Sequence, residues 1–160
     1  MSLDRMDISI LECVQEDARL TNVQLSERVN LSATQCHRRL KRMEEQGYIK
    51  RYGAVLDMTA LGLDVTAMVN VTLESHHEDP ARSFVREIQR LPEIMECWSV
   101  AGDSDYQLRV VATDLKAFSR FIMDSLMPLP MVTSVRSRIL LEEVKGAGGL
   151  PLNHLIKSKS

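Results

Sequence analysis

The sequence predicts an α+β chain in two parts, an amino-terminal winged helix-turn-helix followed by a ferredoxin-like βαββαβ domain. Three observations carry this. Residues 4–46 repeat a helical apolar spacing in three segments separated by turn residues. Residues 65–73 change to strict alternation, with Val65, Ala67, Val69, Val71 and Leu73 on one face. Beyond them, strand and helix signals alternate in the order strand, helix, strand, strand, helix, strand.

The first helix is predicted from Asp4 to Asp17, with Ile10, Leu11 and Val14 on its apolar stripe and Leu3 and Met6 or Asp7 extending it backwards. Asp4 and Asp7 lie in the first turn, where the helix dipole favours acids. Thr21 or Asn22 caps a short second helix through Arg28, with Leu25 and Val29 inward. Asn30 suits the turn because asparagine tolerates the left-handed conformation. Ser32 opens the third helix, Ser32–Gln46, and Gln35 three residues later completes a capping-box pattern. Its inward face is Cys36, Leu40 and Met43, and Gly47 is a stop signal. The run from Tyr48 to Leu56 reads as two short strands pivoting near Gly53, the wing.

In the second part, Asp79-Pro80 starts a helix with Phe84, Val85, Ile88 and Leu91 inward and Pro92 as its stop. Strands at Ile94–Ala101 and Tyr106–Thr113 flank Gly102-Asp103-Ser104-Asp105, a hairpin signal. Asp114 caps another helix, with Leu115, Phe118, Ile122 and Leu126 inward, and Val132–Val144 supplies the last strand. Both helices then cover one sheet face, and self-association is the usual way to cover the other. The parts divide as 1–60 with its linker, 61–145, and a tail, 146–160, whose Gly146-Ala147-Gly148-Gly149 marks a loose end. Leu150–Ile156 is read as an added strand or a mobile end.

Composition narrows the function classes. Apolar residues make up 44% of the 160, so a packed core is available, and aromatics are only 4%, so aliphatics and nine Met must fill it. The net charge of −2 does not announce nucleic acid, but a local basic stripe can bind phosphate without a basic whole. Cys13, Cys36 and Cys97 are an odd number without metal-ligand spacing and read as reduced thiols of a cytoplasmic protein. No apolar signal core and no window approaching a membrane span is present, so neither secretion nor membrane insertion is expected. No phosphate loop, HExxH or nucleophile–base pattern is found, and no cofactor or metal is expected.

The third helix carries the chemistry. Arg38, Arg39, Lys41 and Arg42 put four cations within five residues, opposite the apolar stripe. A charge run on an isolated helix is usually its solvated face. On the second helix of a tight helix-turn-helix, directly after the cap at Ser32, the run instead points to double-stranded DNA. Laid in the major groove, Ala33, Thr34, Gln35 and Arg38 meet base edges: arginine pairs with guanine, glutamine with adenine, and methyl groups with the thymine methyl. Arg39, Lys41 and Arg42, with Lys50 and Arg51 on the wing, suit phosphates, and His37 reads as a phosphate or solvent contact.

These residues resemble a known family. Leu3-Asp4-Arg5-Met6-Asp7 with Ile10-Leu11, Gln15-Glu16-Asp17-Ala18-Arg19, Leu31-Ser32, Arg38-Arg39-Leu40-Lys41-Arg42-Met43-Glu44, Gly47-Tyr48-Ile49 and Tyr52-Gly53-Ala54 are similar to the opening of the Lrp/AsnC (feast/famine) regulators. Gly102-Asp103-Ser104-Asp105-Tyr106, Leu129-Pro130 and Glu142-Glu143-Val144-Lys145 resemble that family's effector (RAM) domain, so the likeness spans residues 3–145. The resemblance implies a transcriptional regulator that forms homodimers, often tetramers of dimers (octamers), with an amino-acid effector bound where neighbouring dimers meet. It points to Gly102, Asp103, Asp105, Tyr106 and Ser99 as the effector site. Where the family often shows two Thr on the last strand, this chain has Val135 and Ser137, and Ala101 precedes the glycine, so the pocket is more apolar than usual. The chemistry fits: Asp103 or Asp105 can hold an ammonium, and backbone N–H groups near Gly102 can receive a carboxylate. The plain alternative is a hairpin turn. Trp98 reads as sheet or interface packing.

The rival class is an enzyme, because some haem-pathway decarboxylases resemble these regulators in fold. His76 and His77 are the available pair, but neighbours on a strand point to opposite faces, which makes a poor two-histidine site for a tetrapyrrole.

Overall fold

The structure, a computed structural model, describes residues 3–74 and 79–156. The described parts of Met1–Val55 and of Lys145–Ser160 form one compact unit, and those of Leu56–Val144 form the other. The His76/His77 pair lies outside the described residues.

In the first unit, α1 (Arg5–Glu16), α2 (Asn22–Val29) and α3 (Ala33–Glu45) each begin with a reciprocal capping box. Thr21 with Gln24 and Ser32 with Gln35 satisfy the orphan N–H groups of α2 and α3, and Asp4 with Asp7 does so for α1. Each cap contributes about 1 kcal/mol. Asn30 ends α2 in the left-handed region at φ 55°, and Gly47 follows α3 at φ 75°. Ile10, Leu25, Val29, Cys36 and Met43 form the buried core, with Leu11, Val14 and Leu40 packed against it.

The expected wing does not form its strands: no residue from 48 to 56 is in a β-ladder. Gly53 has no positive φ that would reverse the chain, and Val55 is fully exposed with nothing to pair against. The tail is corrected as well. Leu150–Ile156 adds no strand; Asn153–Ile156 closes one helical turn, called α6 below.

The second unit is the expected βαββαβ fold. Its strands are β1 (Val65–Leu73), β2 (Ile94–Ser99), β3 (Tyr106–Ala112) and β4 (Val132–Ile139), in the antiparallel order β2-β3-β1-β4. Val65, Ala67, Val69 and Val71 face the helices and are buried with Leu108 and Val110 of β3. The helix α4 (Pro80–Ile88) starts at Asp79, whose side chain accepts the Arg82 N–H, with Pro80 in the first turn. It is shorter than expected, and Val85 turns outward.

The second covering helix departs more clearly. Asp114 caps α5 (Leu115–Arg120), which continues as a π-helical stretch, Phe121–Leu126. Phe118, Phe121 and Leu126 are buried, whereas Leu115, in the first turn of α5, is 62% exposed; the wider π turn alters the helical phase only from Phe121 onward. β2 and β4 end before their expected limits, at Ser99 and Ile139. The other sheet face carries Met68, Asn70, Gln107, Arg109 and Arg138, which the register sets opposite one another, and among the described residues no element of this unit covers it. Trp98 sits opposite Gln107 on that face, 45% exposed. Among the described residues the cysteines are free and no helix is long and apolar enough to cross a membrane.

Candidate nucleic-acid interface and effector loop

The outer face of α3 is built from its cap outward. Ser32 Oγ accepts the Gln35 N–H at 3.2 Å, and Gln35 Oε1 accepts the Ser32 N–H at 3.1 Å. The Gln35 carbonyl is thus engaged by the helix itself, and a bidentate pairing with adenine would open the capping box. Thr34 and Arg38 are exposed and Ala33 half-buried beside them. Arg38 has no hydrogen-bond or ion-pair partner among the described residues. His37 Nδ1 lies 3.4 Å from Asn22 Nδ2, which ties it to the start of α2. Lys41 reaches, among the described residues, only the exposed Glu45, at 3.9 Å, a pairing of little energy.

Two of the four arginine and lysine side chains are held differently. Asp7 is 1% exposed and receives Arg39 at 2.7 Å on one oxygen and Arg42 at 2.6 Å on the other. Asp4 takes a second contact from Arg39 at 2.7 Å. The two carboxylates hold the Arg39 guanidinium above its already high range. Burial alone would raise Asp4, but the Asp7 backbone N–H and the Arg39 guanidinium outweigh it and leave its carboxyl below the usual range. Arg42 Nε is buried without a partner. Sequence reading assigned Arg39 and Arg42 to phosphates and missed Asp7 as their acceptor. The available signal was an acid placed within the apolar stripe of α1. Lys50 and Arg51 remain exposed.

The effector loop spans residues 100–105. Val100 N–H donates to the Asp105 carbonyl at 3.0 Å, Asp105 N–H to the Val71 carbonyl at 3.0 Å, and Gly102 takes φ 130°, a conformation that glycine adopts without strain. The Asp105 carboxylate accepts the Leu73 N–H at 2.7 Å, where the β1–β4 register shifts. Asp103 is exposed, and its carbonyl accepts the Thr72 hydroxyl at 3.5 Å. Tyr106 packs on Phe84 with ring centroids 4.9 Å apart, and burial, then the nearby Cys97 and Asp105, raises its phenol.

Ser99, Asp105 and Tyr106 meet at one cavity of about 370 Å³, which Leu73, Glu74, Pro80, Ala81 and Val100 complete. None of the latter five was read as a site residue from the sequence; Leu73 and Pro80 were read only as strand and helix-start residues. Ser137 is not brought to this cavity. It lies opposite Val69 on β4, whereas Ser99 lies on β2, and β3 and β1 stand between them. At normal strand spacing that separation is about 14 Å.

A capped helix-turn-helix with a cationic second helix, followed by a split βαβ domain with a small polar-rimmed cavity, defines a ligand-responsive transcriptional regulator. Residues 3–50 match the winged helix-turn-helix DNA-binding model, and residues 66–150 match the Lrp/AsnC ligand binding domain. The chain is 39% identical over 148 residues to the leucine-responsive regulatory protein of Escherichia coli (strain K12), covering 92% of this chain and 90% of that one. It is 34% identical over 153 residues to the transcriptional regulator AzlB of Bacillus subtilis, covering 96% and 98%. Among solved structures, the transcriptional regulator NMB0573 of Neisseria meningitidis in complex with L-Met superposes with a TM-score of 0.93 at 40% identity, over 96% of this chain and 99% of that one. The chain belongs to the Lrp/AsnC family of transcriptional regulators.

Proposed function

We propose that this regulator is a homodimer, further assembled as an octamer, that binds pseudo-palindromic double-stranded DNA and is tuned by an amino acid. It is not an enzyme in this reading, consistent with relatives that are named as regulators along nearly their whole length. The observation that carries DNA reading is Arg38, exposed on the capped helix and without a hydrogen-bond or ion-pair partner among the described residues. Ser32, Ala33, Thr34 and Arg38 face base edges, with the Gln35 amide N–H₂ as a single donor. Lys41, Lys50, Arg51 and His37 meet phosphates, with Arg39 and Arg42 as helix-positioning groups.

The effector site is the cavity at Ser99, Asp105 and Tyr106, with Gly102 and Asp103 on the adjoining loop. One Asp105 oxygen holds Leu73, which leaves the other for an ammonium. Ser137 belongs to the site only if a second copy brings it there, in keeping with a pocket where dimers meet. The uncovered sheet face, with Trp98 on it, supports self-association. The apolar lining from Leu73, Pro80, Ala81 and Val100 favours an amino acid with an uncharged side chain, and the relative solved with L-Met supports that class.

A thermal-shift screen of the twenty amino acids, paired with operator binding by fluorescence anisotropy, tests the reading. A ligand of the native state must raise its stability. L-methionine or L-leucine is expected to raise the melting temperature and change operator affinity; no shift with any amino acid would refute the effector assignment.

A further inference from the structure

The chain crosses back after its last strand. Residues 145–156 fold with the helix-turn-helix, not with the sheet that precedes them. The contact has a defined geometry. Gln15 Oε1 accepts the Leu150 N–H at 2.9 Å, and Gln15 Nε2 donates to the Leu150 carbonyl at 3.1 Å. One side-chain amide therefore pairs with one residue's backbone through both of its groups, as a neighbouring strand would. Gly149 is matched to this contact. A Cβ there would stand 2.6 Å from Gln15 Cδ and 2.7 Å from Nε2, and Gln15 could yield only by giving up Leu150. Around the amide pair lies a groove of about 480 Å³ whose apolar walls include Leu11, Val14, Ala18, Ile49 and Tyr52, with Leu152 laid along it. Leu152 and Leu155 are half-buried, whereas the preceding residues 145–149 are exposed. Lys50 and Arg51, proposed above as phosphate contacts, border the same groove.

We propose that this groove is the seat of the chain's own segment Gly149–Leu152, and that the seated segment is a second tie between the effector unit and the DNA-binding unit. The first tie is the linker after Val55. The second begins at β4, ten residues before Gly149, and ends on α1. Its role in regulation rests on the proposed effector site; its existence as a tie does not. An effector-driven change in the sheet reaches the helix-turn-helix through both connections, and the tail delivers it beside Lys50 and Arg51.

Gly149→Val tests this in the full-length protein, because it forces the tail away without altering a DNA-facing residue, and Gln15→Ala removes the same bonds from the other side. Hydrogen–deuterium exchange is expected to show the Leu150 amide protected in the wild type and at least about tenfold faster in both variants, with α1 still protected. Calorimetry is expected to show the DNA-binding unit of both variants melting at lower temperature than in the wild type. A wild-type tail exchanging as free chain, or variants with unchanged exchange and melting, would overturn the seat. With L-methionine and L-leucine as probes, the variants are expected to keep the wild-type thermal shift but to lose most of the change in operator affinity. A full response in a variant whose tail is released would overturn the coupling role. Absence of any thermal shift in the wild type would strike the effector reading alone, since exchange and melting decide the tie without ligand.

Discussion

Asp7 and Arg39 form the ion pair on which the pose of the recognition helix depends: the carboxylate is 1% exposed and the Arg39 nitrogen lies 2.7 Å from it, with Arg42 on its other oxygen. The pair joins α1 to α3 from inside the unit. Removing the acid leaves Arg42 without its carboxylate and Arg39 with Asp4 alone. Because both arginine side chains retain some solvent, Asp7→Ala is expected to cost about 2–3 kcal/mol, below the range for fully buried pairs. Urea unfolding of the full-length protein measures it, and a loss under about 0.5 kcal/mol would mean that the pair contributes no more than a surface contact.

The same geometry separates the cations of α3 by role. Arg39→Ala should lower stability and leave the salt dependence of DNA binding nearly unchanged, since its charge is already neutralised by Asp4 and Asp7. Lys41→Ala should leave stability unchanged, weaken binding evenly across sequences, and reduce the salt slope by about one per subunit. Equal effects of the two substitutions on the salt slope would contradict this division.

Arg38→Ala is expected to weaken operator binding by about 1–3 kcal/mol and to relax preference at one base pair of each half-site. Arg38 makes no side-chain hydrogen bond or ion pair among the described residues, so stability should not change with it. Anisotropy titrations against the operator and single-base variants read both quantities. Intact affinity and preference would remove α3 from the major groove.

What the sequence disclosed was mostly local. Thr21, Ser32, Asn30, Gly47, Asp79-Pro80 and Asp114 act within one turn of chain, and each does in the structure what its neighbours required. The alternation of β1 was equally legible because every inward residue packs on one core. Effects that join distant segments were not. Asp7 looked like a dipole acid because its arginine partners lie 32 and 35 residues away, and the Gly-rich tail looked loose because its partner is Gln15. A π-turn shifts helical phase with no residue signature, which hid Phe121. The candidate site was half legible: Ser99, Asp105 and Tyr106 share a cavity, but Gly102 and Asp103 do not line it and Ser137 belongs to the opposite edge of the sheet.

Asp105 has a structural task beside its proposed one, and two substitutions separate them. Asp105→Asn keeps an oxygen for the Leu73 N–H while removing the charge, so the fold should persist and the thermal shift by L-methionine or L-leucine should vanish. Asp105→Ala also leaves the Leu73 N–H without its acceptor and should cost about 1 kcal/mol in addition. A full ligand shift in the asparagine variant would exclude Asp105 as the ammonium acceptor.

The Tyr52–Glu44 contact sets an alkaline limit on stability. The Tyr52 hydroxyl donates to Glu44 Oε1 at 2.6 Å, and burial, followed by that bond and the adjacent charge, pushes the phenol up to about 12. A raised folded-state value means that the folded form holds the proton more tightly. The contact's contribution is therefore complete below the unfolded tyrosine value of about 10 and is lost as pH rises from there through the folded value. Asp4 gives the opposite limb: its lowered carboxyl contributes above the ordinary aspartate value of about 3.9, and that contribution fades as pH falls through the depressed folded value. Urea midpoints measured against pH should fall at both ends. Tyr52→Phe should flatten the alkaline fall and leave the acid one intact, because it deletes the titrating proton and the bond together. An identical alkaline fall in the Phe variant would assign that limb to another group.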